Sequence, residues 1–380
     1  MKINKADIFL TEIPYKQPYK TSTNITPKGR HVVLRLELED GTVGWGETGI
    51  ISRRYPAQGD TPETIFSVLK HYLCPTLLGL SPMEPEIVMA KLEQVVRGHY
   101  FAKCAVDHAL LDLQGKLLDI SVSSLLGGAH RNQYAVSRSL PLAAPKDVAA
   151  RALQLRDEGY SRLTLKGGGD IEHDYASFRE VRAQLGSSFE LELDPNGAYD
   201  APSAVTLLKR LADLGLYAVE QPTPGDDIYA LSEVKSKVSV SVIADESVFT
   251  AGDLRDVIRL NAADTICLKP FKSGGILASR KLQHAAQCAG LRVSTGSMHP
   301  FGIGTAALHH FAAGIPELMT AGYGCPQERF VDDIVDEACY RFSEGIVRLS
   351  TDRPGLGIVV NEEKVNRYSA DRYTLTNLGG

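Results

Sequence analysis

Between Lys166 and Lys269 the chain repeats one pattern: a short apolar run that ends on an ionisable residue, then a longer amphipathic stretch. The runs read RLTLK, LELDPN, LYAVEQP, VSVIADES and DTICLK, and their charges are Lys166, Asp194, Glu220, Asp245 and Lys269. These charges recur every 24–28 residues. One strand, one helix and two loops fill such an interval, so each interval is one β/α unit. Short continuous apolar runs read as parallel strands buried on both faces. The intervening stretches Tyr175–Leu185, Ala201–Leu214 and Ile276–Ala289 read as helices. Successive units with right-handed crossovers build a doubly wound sheet or a closed barrel. A charge at the C-terminal end of strand after strand favours the barrel, because there all the strand ends converge on one mouth.

The flanking pattern is different. Residues 2–13 alternate as a strand, and residues 14–30 are polar with three prolines, which predicts a loop. His31–Leu38 and Thr42–Glu47 predict a hairpin around Glu39-Asp40-Gly41. A second loop, Thr48–Thr61, carries Arg53, Arg54 and Tyr55. From Pro62 to Leu118 the pattern is helical, in about three helices broken near Gly79–Pro82 and Gly98. The first barrel strand is expected at Gln133–Leu140. A seventh strand in LRVSTGSMHP leads to His299, and an eighth in PELMTAGYG leads to Tyr323. Two short strands about a turn are expected within Arg341–Val360.

The order of the central charges carries the chemistry: lysine, three carboxylates, lysine. Asp194, Glu220 and Asp245 would repel one another unless they surround a cation, and oxygen-only ligands suit Mg²⁺, with Mn²⁺ as the alternative. Glu246 competes with Asp245, since neighbours on a strand face opposite ways. Asn196 is placed to support the first ligand, and Lys272 to lie at the surface or behind the ligands. Lys166 and Lys269 flank this centre as two bases facing each other across a substrate. That layout moves a proton on the carbon next to a carboxylate, and a cation neutralises the charge that develops on the carboxylate oxygens. Proximity to the cation and to each other is expected to bring both lysines towards neutrality.

Composition narrows the partners. A length of 380 residues with 43% hydrophobic residues supports a large core, and a net charge of −5 without a basic cluster argues against nucleic acid. Apolar runs fall short of membrane-spanning length and the N-terminus lacks a signal-peptide core, so a cytoplasmic protein is expected. Six scattered cysteines without CxxC spacing read as reduced thiols rather than a zinc site.

These motifs together resemble the enolase superfamily, in the mandelate racemase and muconate lactonizing enzyme group. The resemblance runs through DGTVGWGE (Asp40–Glu47), DHALLDLQGK (Asp107–Lys116), SLLGG (Ser124–Gly128), the carboxylate strands, LKPFKSGG (Leu268–Gly275) and PGLGI (Pro354–Ile358). A lysine at 269 resembles the muconate lactonizing branch, which also uses the aspartate at 245. The resemblance implies a modified (β/α)7β barrel, a TIM-like α/β fold, under an α+β capping domain. The expected organisation is a cap over 1–127, a barrel over 128–325 and a segment, 326–380, that returns to the cap. The loops at 14–30 and 48–61 would act as lids. A homodimer or octamer acting on a small carboxylate is implied.

One departure stands out. The family writes Lys-x-Lys on the second barrel strand, and this chain has Thr164-Leu165-Lys166. A charge beside the substrate carboxylate is thereby lost, which suits a substrate bringing its own cation. Tyr55 and Tyr323 sit where the similar 4-hydroxyproline betaine 2-epimerase branch has aromatic contacts, and aromatic faces attract amines. His299 is a candidate for binding a substrate oxygen or protonating a leaving hydroxyl. The expected activity is Mg-dependent racemisation or epimerisation of an amino-acid-like or betaine-like, proline-type acid. Dehydration of a 3-hydroxyproline or sugar acid and muconate-type cycloisomerisation are the alternatives.

Overall fold

The computed structural model describes residues 1–20, 25–50, 60–322 and 324–377. The cap is a four-stranded antiparallel sheet in the order Ser369–Thr376, Ile3–Lys20, Ile25–Leu38, Val43–Gly49. Its hairpin is longer than expected, because residues 14–20 and 25–30 are strand rather than loop. Polarity hid the alternation: Ile13 and Tyr15 are buried while Pro14 and Lys16 are exposed. The prolines are tolerated where the pairing register shifts, between Pro14 and Tyr19. Tyr15 stacks on Phe330 of the barrel side at 4.7 Å.

Three helical stretches cover this sheet. Pro62–Val68, the π-helical Leu69–Leu73 and Cys74–Leu77 run on from one another, followed by Pro85–Val95 and Tyr100–Leu118. The last is buried over most of its length. It approaches the sheet closely because Gly44 and Gly46 lack side chains. A Cβ on Gly46 would strike the carbonyl oxygen of Ala105.

Seven parallel strands follow one another around the barrel: Arg138–Leu140, Arg162–Lys166, Glu190–Asp194, Ala218–Glu220, Ser241–Ala244, Thr265–Leu268 and Arg292–Thr295. Residues 318–322 close the ring. Leu318 bridges to Val293, Gly322 bridges to Ser137, and Thr295 N donates to Thr320 O at 2.8 Å. Helices lie between successive strands, so this is the modified (β/α)7β barrel with an antiparallel cap. The expected first strand is split. Gln133–Ala135 joins a separate sheet with Ile346–Leu349 and Tyr340–Ser343, and Arg138–Leu140 alone enters the barrel. The two parts could not be separated by pattern, because both alternate.

Buried carboxylates stitch cap to barrel. Glu47 accepts from Phe301 N and Gly304 N, both at 2.7 Å, around the start of the helix Gly302–Ala313. Asp107 accepts from Ile276 N at 2.6 Å and Leu277 N at 3.2 Å, at the start of Ile276–Cys288. Asp112 accepts from Leu356 N at 2.8 Å. Phe301, Gly304, Ile276 and Leu277 lie at helix N-termini, which carry unpaired donors and partial positive charge, whereas Leu356 donates from a turn. The cap's apolar core also includes Phe249, Phe271 and Met298 from the barrel. Among the described residues no helix is long and apolar enough to cross a membrane.

Candidate active site

The parallel strands deliver their C-terminal residues to one mouth. Lys166 and Asp194 end the second and third strands, Glu220 ends the fourth, and Asp245 and Lys269 directly follow the fifth and sixth. Lys166 and Lys269 are thus four strands apart in an eight-membered ring, on opposite sides of the mouth. A cavity of about 1160 Å³ opens there, lined by Lys166, Asp194, Glu220, Glu246, Lys269 and His299 among others.

Each base stands on a carboxylate. Lys166 pairs with Asp194 and donates to Asn196 Oδ1 at 3.2 Å. Lys269 pairs with Asp245 and lies 3.9 Å from Glu220 Oε1. Its path requires a glycine opposite, since a Cβ on Gly296 would strike Lys269 Cε. Lys272 is fully buried rather than at the surface, and its Nζ holds Asp245 Oδ1 at 2.8 Å. Asn196 Nδ2 donates to Asp194 Oδ2 at 3.1 Å and to Glu246 Oε1 at 3.2 Å, tying the two acids together.

The electrostatics show crowding. Burial, then the charges of Asp194 and Asp245, push the Glu220 carboxyl well above the usual range. Burial also acts to raise Asp245, but Lys269 and Lys272 outweigh it and hold that carboxyl well below the usual range. Burial and the neighbouring Asp245 push Glu246 up to about 7. Donor atoms of Glu220 and Asp245 lie within 4.8 Å of one another, as does Cys267 Sγ. Crowded, buried carboxylate oxygens fit a hard divalent cation, and the lysines occupy the role of counter-charge to them here.

The other expected residues fall as follows. His299, on the loop after Arg292–Thr295, has a left-handed backbone at φ +52 and faces the cavity with its ring edge-on to Tyr15 at 6.4 Å. Burial, then Arg329 and Lys166, depress its pKa well below the ordinary value, so the ring is neutral near pH 7. Thr164 lies on the cavity floor and meets Ser137 and Glu192. Arg53, Arg54, Tyr55 and Tyr323 lie outside the described residues.

Sequence reading missed Glu192. The period-2 rule carried a signal, since Glu192 lies two residues before Asp194 and shares its inward face. Ser137, Thr320 and Arg329 also line the cavity and had no such marker.

Two family models match the chain. The mandelate racemase / muconate lactonizing enzyme N-terminal domain covers residues 5–127, and the enolase C-terminal domain-like model covers residues 147–364. N-succinyl-L-Arg/Lys racemase of Bacillus cereus is 29% identical, over 97% of this chain and 98% of its own. Its crystal structure superposes with a TM-score of 0.94 at 28% identity, covering 99% of this chain and 100% of that one. L-Ala-D/L-Glu epimerase of Bacillus subtilis is 31% identical over 94% of this chain and 97% of its own. Muconate cycloisomerase 1 of Rhodococcus opacus is 31% identical over 97% and 99%.

Proposed function

Since the chain belongs to the mandelate racemase / muconate lactonizing enzyme group of the enolase superfamily and is an isomerase, we propose that it racemises or epimerises an amino-acid-derived carboxylate. The observation that carries this reading is the pair of lysines, each seated on a carboxylate, on opposite sides of one mouth. Lys166 takes the α-proton from one face of the carbon, and Lys269 returns a proton to the other; in the reverse direction the roles exchange. Asp194, Glu220 and Asp245 would hold Mg²⁺, which when bound stabilises negative charge on the substrate carboxylate. Asn196 keeps Asp194 turned towards the mouth, and Lys272 fixes Asp245 from behind.

The relatives include a racemase of N-succinyl amino acids and a dipeptide epimerase. Both names describe inversion at a carbon next to a carboxyl or amide group, which supports the reaction type. For this chain we assign a proline-type or betaine-like acid with a cationic α-nitrogen, because Thr164 stands where the family places a lysine. His299, kept neutral, serves as a hydrogen-bonding wall rather than as an imidazolium acid, which weighs against dehydration.

Deuterium exchange at the α-carbon, followed by NMR over amino acids, betaines and sugar acids in D₂O, tests the proposal. Wash-in with inversion and without loss of hydroxyl is expected. Loss of hydroxyl to a 2-keto product would move the assignment to dehydration, and lactone formation to cycloisomerisation.

A further inference from the structure

Beneath the bases the barrel has a polar floor. Strand alternation puts Thr164 two residues below Lys166 and Glu192 two below Asp194, roughly 7 Å deeper. Ser137, Thr164, Glu192 and Thr320 all line the same cavity, and all are buried. Their hydroxyl protons run one way. Thr164 Oγ1 donates to Glu192 Oε2 at 3.1 Å, and Thr320 Oγ1 donates to Glu192 Oε1 at 2.8 Å. A threonine hydroxyl has one proton, so Ser137 must be the donor in its 2.7 Å contact with Thr164. Behind Thr320, Arg162 donates to that hydroxyl at 2.8 Å, and its guanidinium pairs with Glu190 at the foot of the barrel.

The consequence is directional. With every hydroxyl proton committed towards Glu192, what the floor offers a ligand is lone pairs: those of Ser137 and Thr164 and the remaining acceptor capacity of Glu192. Such a surface accepts from an N–H and repels a carboxylate or an acyl carbonyl. A quaternary nitrogen feels the charge but makes no hydrogen bond to it.

We propose that Glu192, acting with Thr164 and Ser137, selects substrates whose cationic nitrogen carries an N–H, in preference to quaternary or N-acylated counterparts of the same skeleton. This rests on the reading of the mouth as an α-proton epimerase, and narrows its substrate class to the proline-type acids that bear an N–H, setting the betaine-like ones aside. Glu192 is a specificity residue here, not a base.

The test uses matched derivatives of proline and alanine with the nitrogen as N-methylammonium, as quaternary betaine and as N-acetyl amide. Binding to the Mg²⁺-loaded protein is read by calorimetry, which needs no turnover. The N-methylammonium form is expected to bind at least fivefold more tightly than either counterpart. Glu192→Gln should remove at least tenfold of its affinity and leave the N-acetyl form within twofold. Because Asp194 is near, Mg²⁺ affinity is measured as well and should stay within twofold. Thr164→Lys, which sets a cation over the same carboxylate, is the second variant and should abolish the preference even if the glutamine variant folds poorly. Equal losses for all three ligands, or a quaternary form bound as tightly as the N-methyl form, would overturn the proposal. The α-proton exchange experiment separates the two readings: exchange that persists with no role for Glu192 rejects only the floor, while selective binding without exchange rejects only the epimerase.

Discussion

At the seam between cap and barrel, Glu47, Asp107 and Asp112 accept backbone N–H groups at 2.6–3.2 Å from helices and turns across the interface. At the mouth, Asp194 and Asp245 face lysine side chains instead, and Glu220 stands 3.9 Å from Lys269. Both sets are buried acids, and what separates their roles is the donor that reaches them from across the fold. Within the cap Asp112 also pairs with Lys116 and Glu47 with His31, but what crosses the seam is backbone N–H. A backbone N–H has a fixed position and does not ionise in this range, so it holds a geometry. A lysine can swing, lose its proton and yield its place to a cation, so it leaves the acid available for chemistry. Burial of a charge therefore says little about role until the donor is identified.

The largest expected effect breaks the mouth alone. Lys166→Ala and Lys269→Ala should each lower turnover by about 10²–10⁴-fold, the usual worth of a general acid–base group. Each variant should keep α-proton exchange with one enantiomer, and chemical denaturation should find both folded. A near-wild-type rate in either would remove the two-base mechanism.

Breaking the seam should do the reverse. Asp107→Ala strands the N–H groups of Ile276 and Leu277 in the interface, at a cost of about 3 kcal/mol in a urea melt. Turnover per folded molecule should stay close to wild type. If stability holds and turnover falls, the seam and the mouth are not separable.

A cation should distinguish the two sets directly. Mg²⁺ at a hundred times its Kd should stabilise the protein by about 2.7 kcal/mol, with the gain reversed by a chelator and lost in Asp194→Asn. Thermal melts with and without metal read this, and an unchanged gain in the variant would place the cation elsewhere.

The smallest effect sharpens the seam. His310 accepts from Ser123 N through Nδ1 at 3.2 Å, and its Nε2 lies 3.2 Å from Leu356 O, a pattern that fits the neutral ring. Burial lowers its pKa to about 4. The folded state thus binds fewer protons than the unfolded one, whose imidazole titrates near 6.5. This stabilisation is complete above pH 6.5 and is lost as pH falls towards 4. Against a His310→Asn variant, the wild type should lose about 1 kcal/mol between pH 7.5 and 5.5. An unchanged difference across that range would mean that folding leaves the ring's proton affinity as it is in the unfolded chain.

The barrel and its line of charges were legible because a parallel strand is a short apolar run, and because strand ends converge whatever the side chains between them. The pairing of residues 14–20 with 25–30 was not, since burial there comes from contacts such as Tyr15 on Phe330, far away in sequence. The split at Gln133–Leu140 was hidden for a similar reason: the partner of its first half is Ile346–Leu349, and pairing choice leaves no local mark. At the site, Lys272 takes the second of its two expected places, behind Asp245, and the choice was not legible because a lysine within a short helical turn looks solvated until Asp245 is seen against it. Glu192 was overlooked although periodicity pointed to it, since attention to strand ends ignores the layer below.

The cap sheet pairs Lys5 with Thr376 and Leu10 with Asp371. During translation the strand Ile3–Lys20 must therefore wait for a partner that emerges after the entire barrel has been made. At typical elongation rates of about 5–20 residues per second, the wait is roughly 20–70 s. Over that time one flank of the nascent sheet presents an open row of backbone donors and acceptors, the kind of edge that recruits foreign strands. Ribosome-bound chains halted before residue 369 should on this account be richer in chaperone than chains released past it.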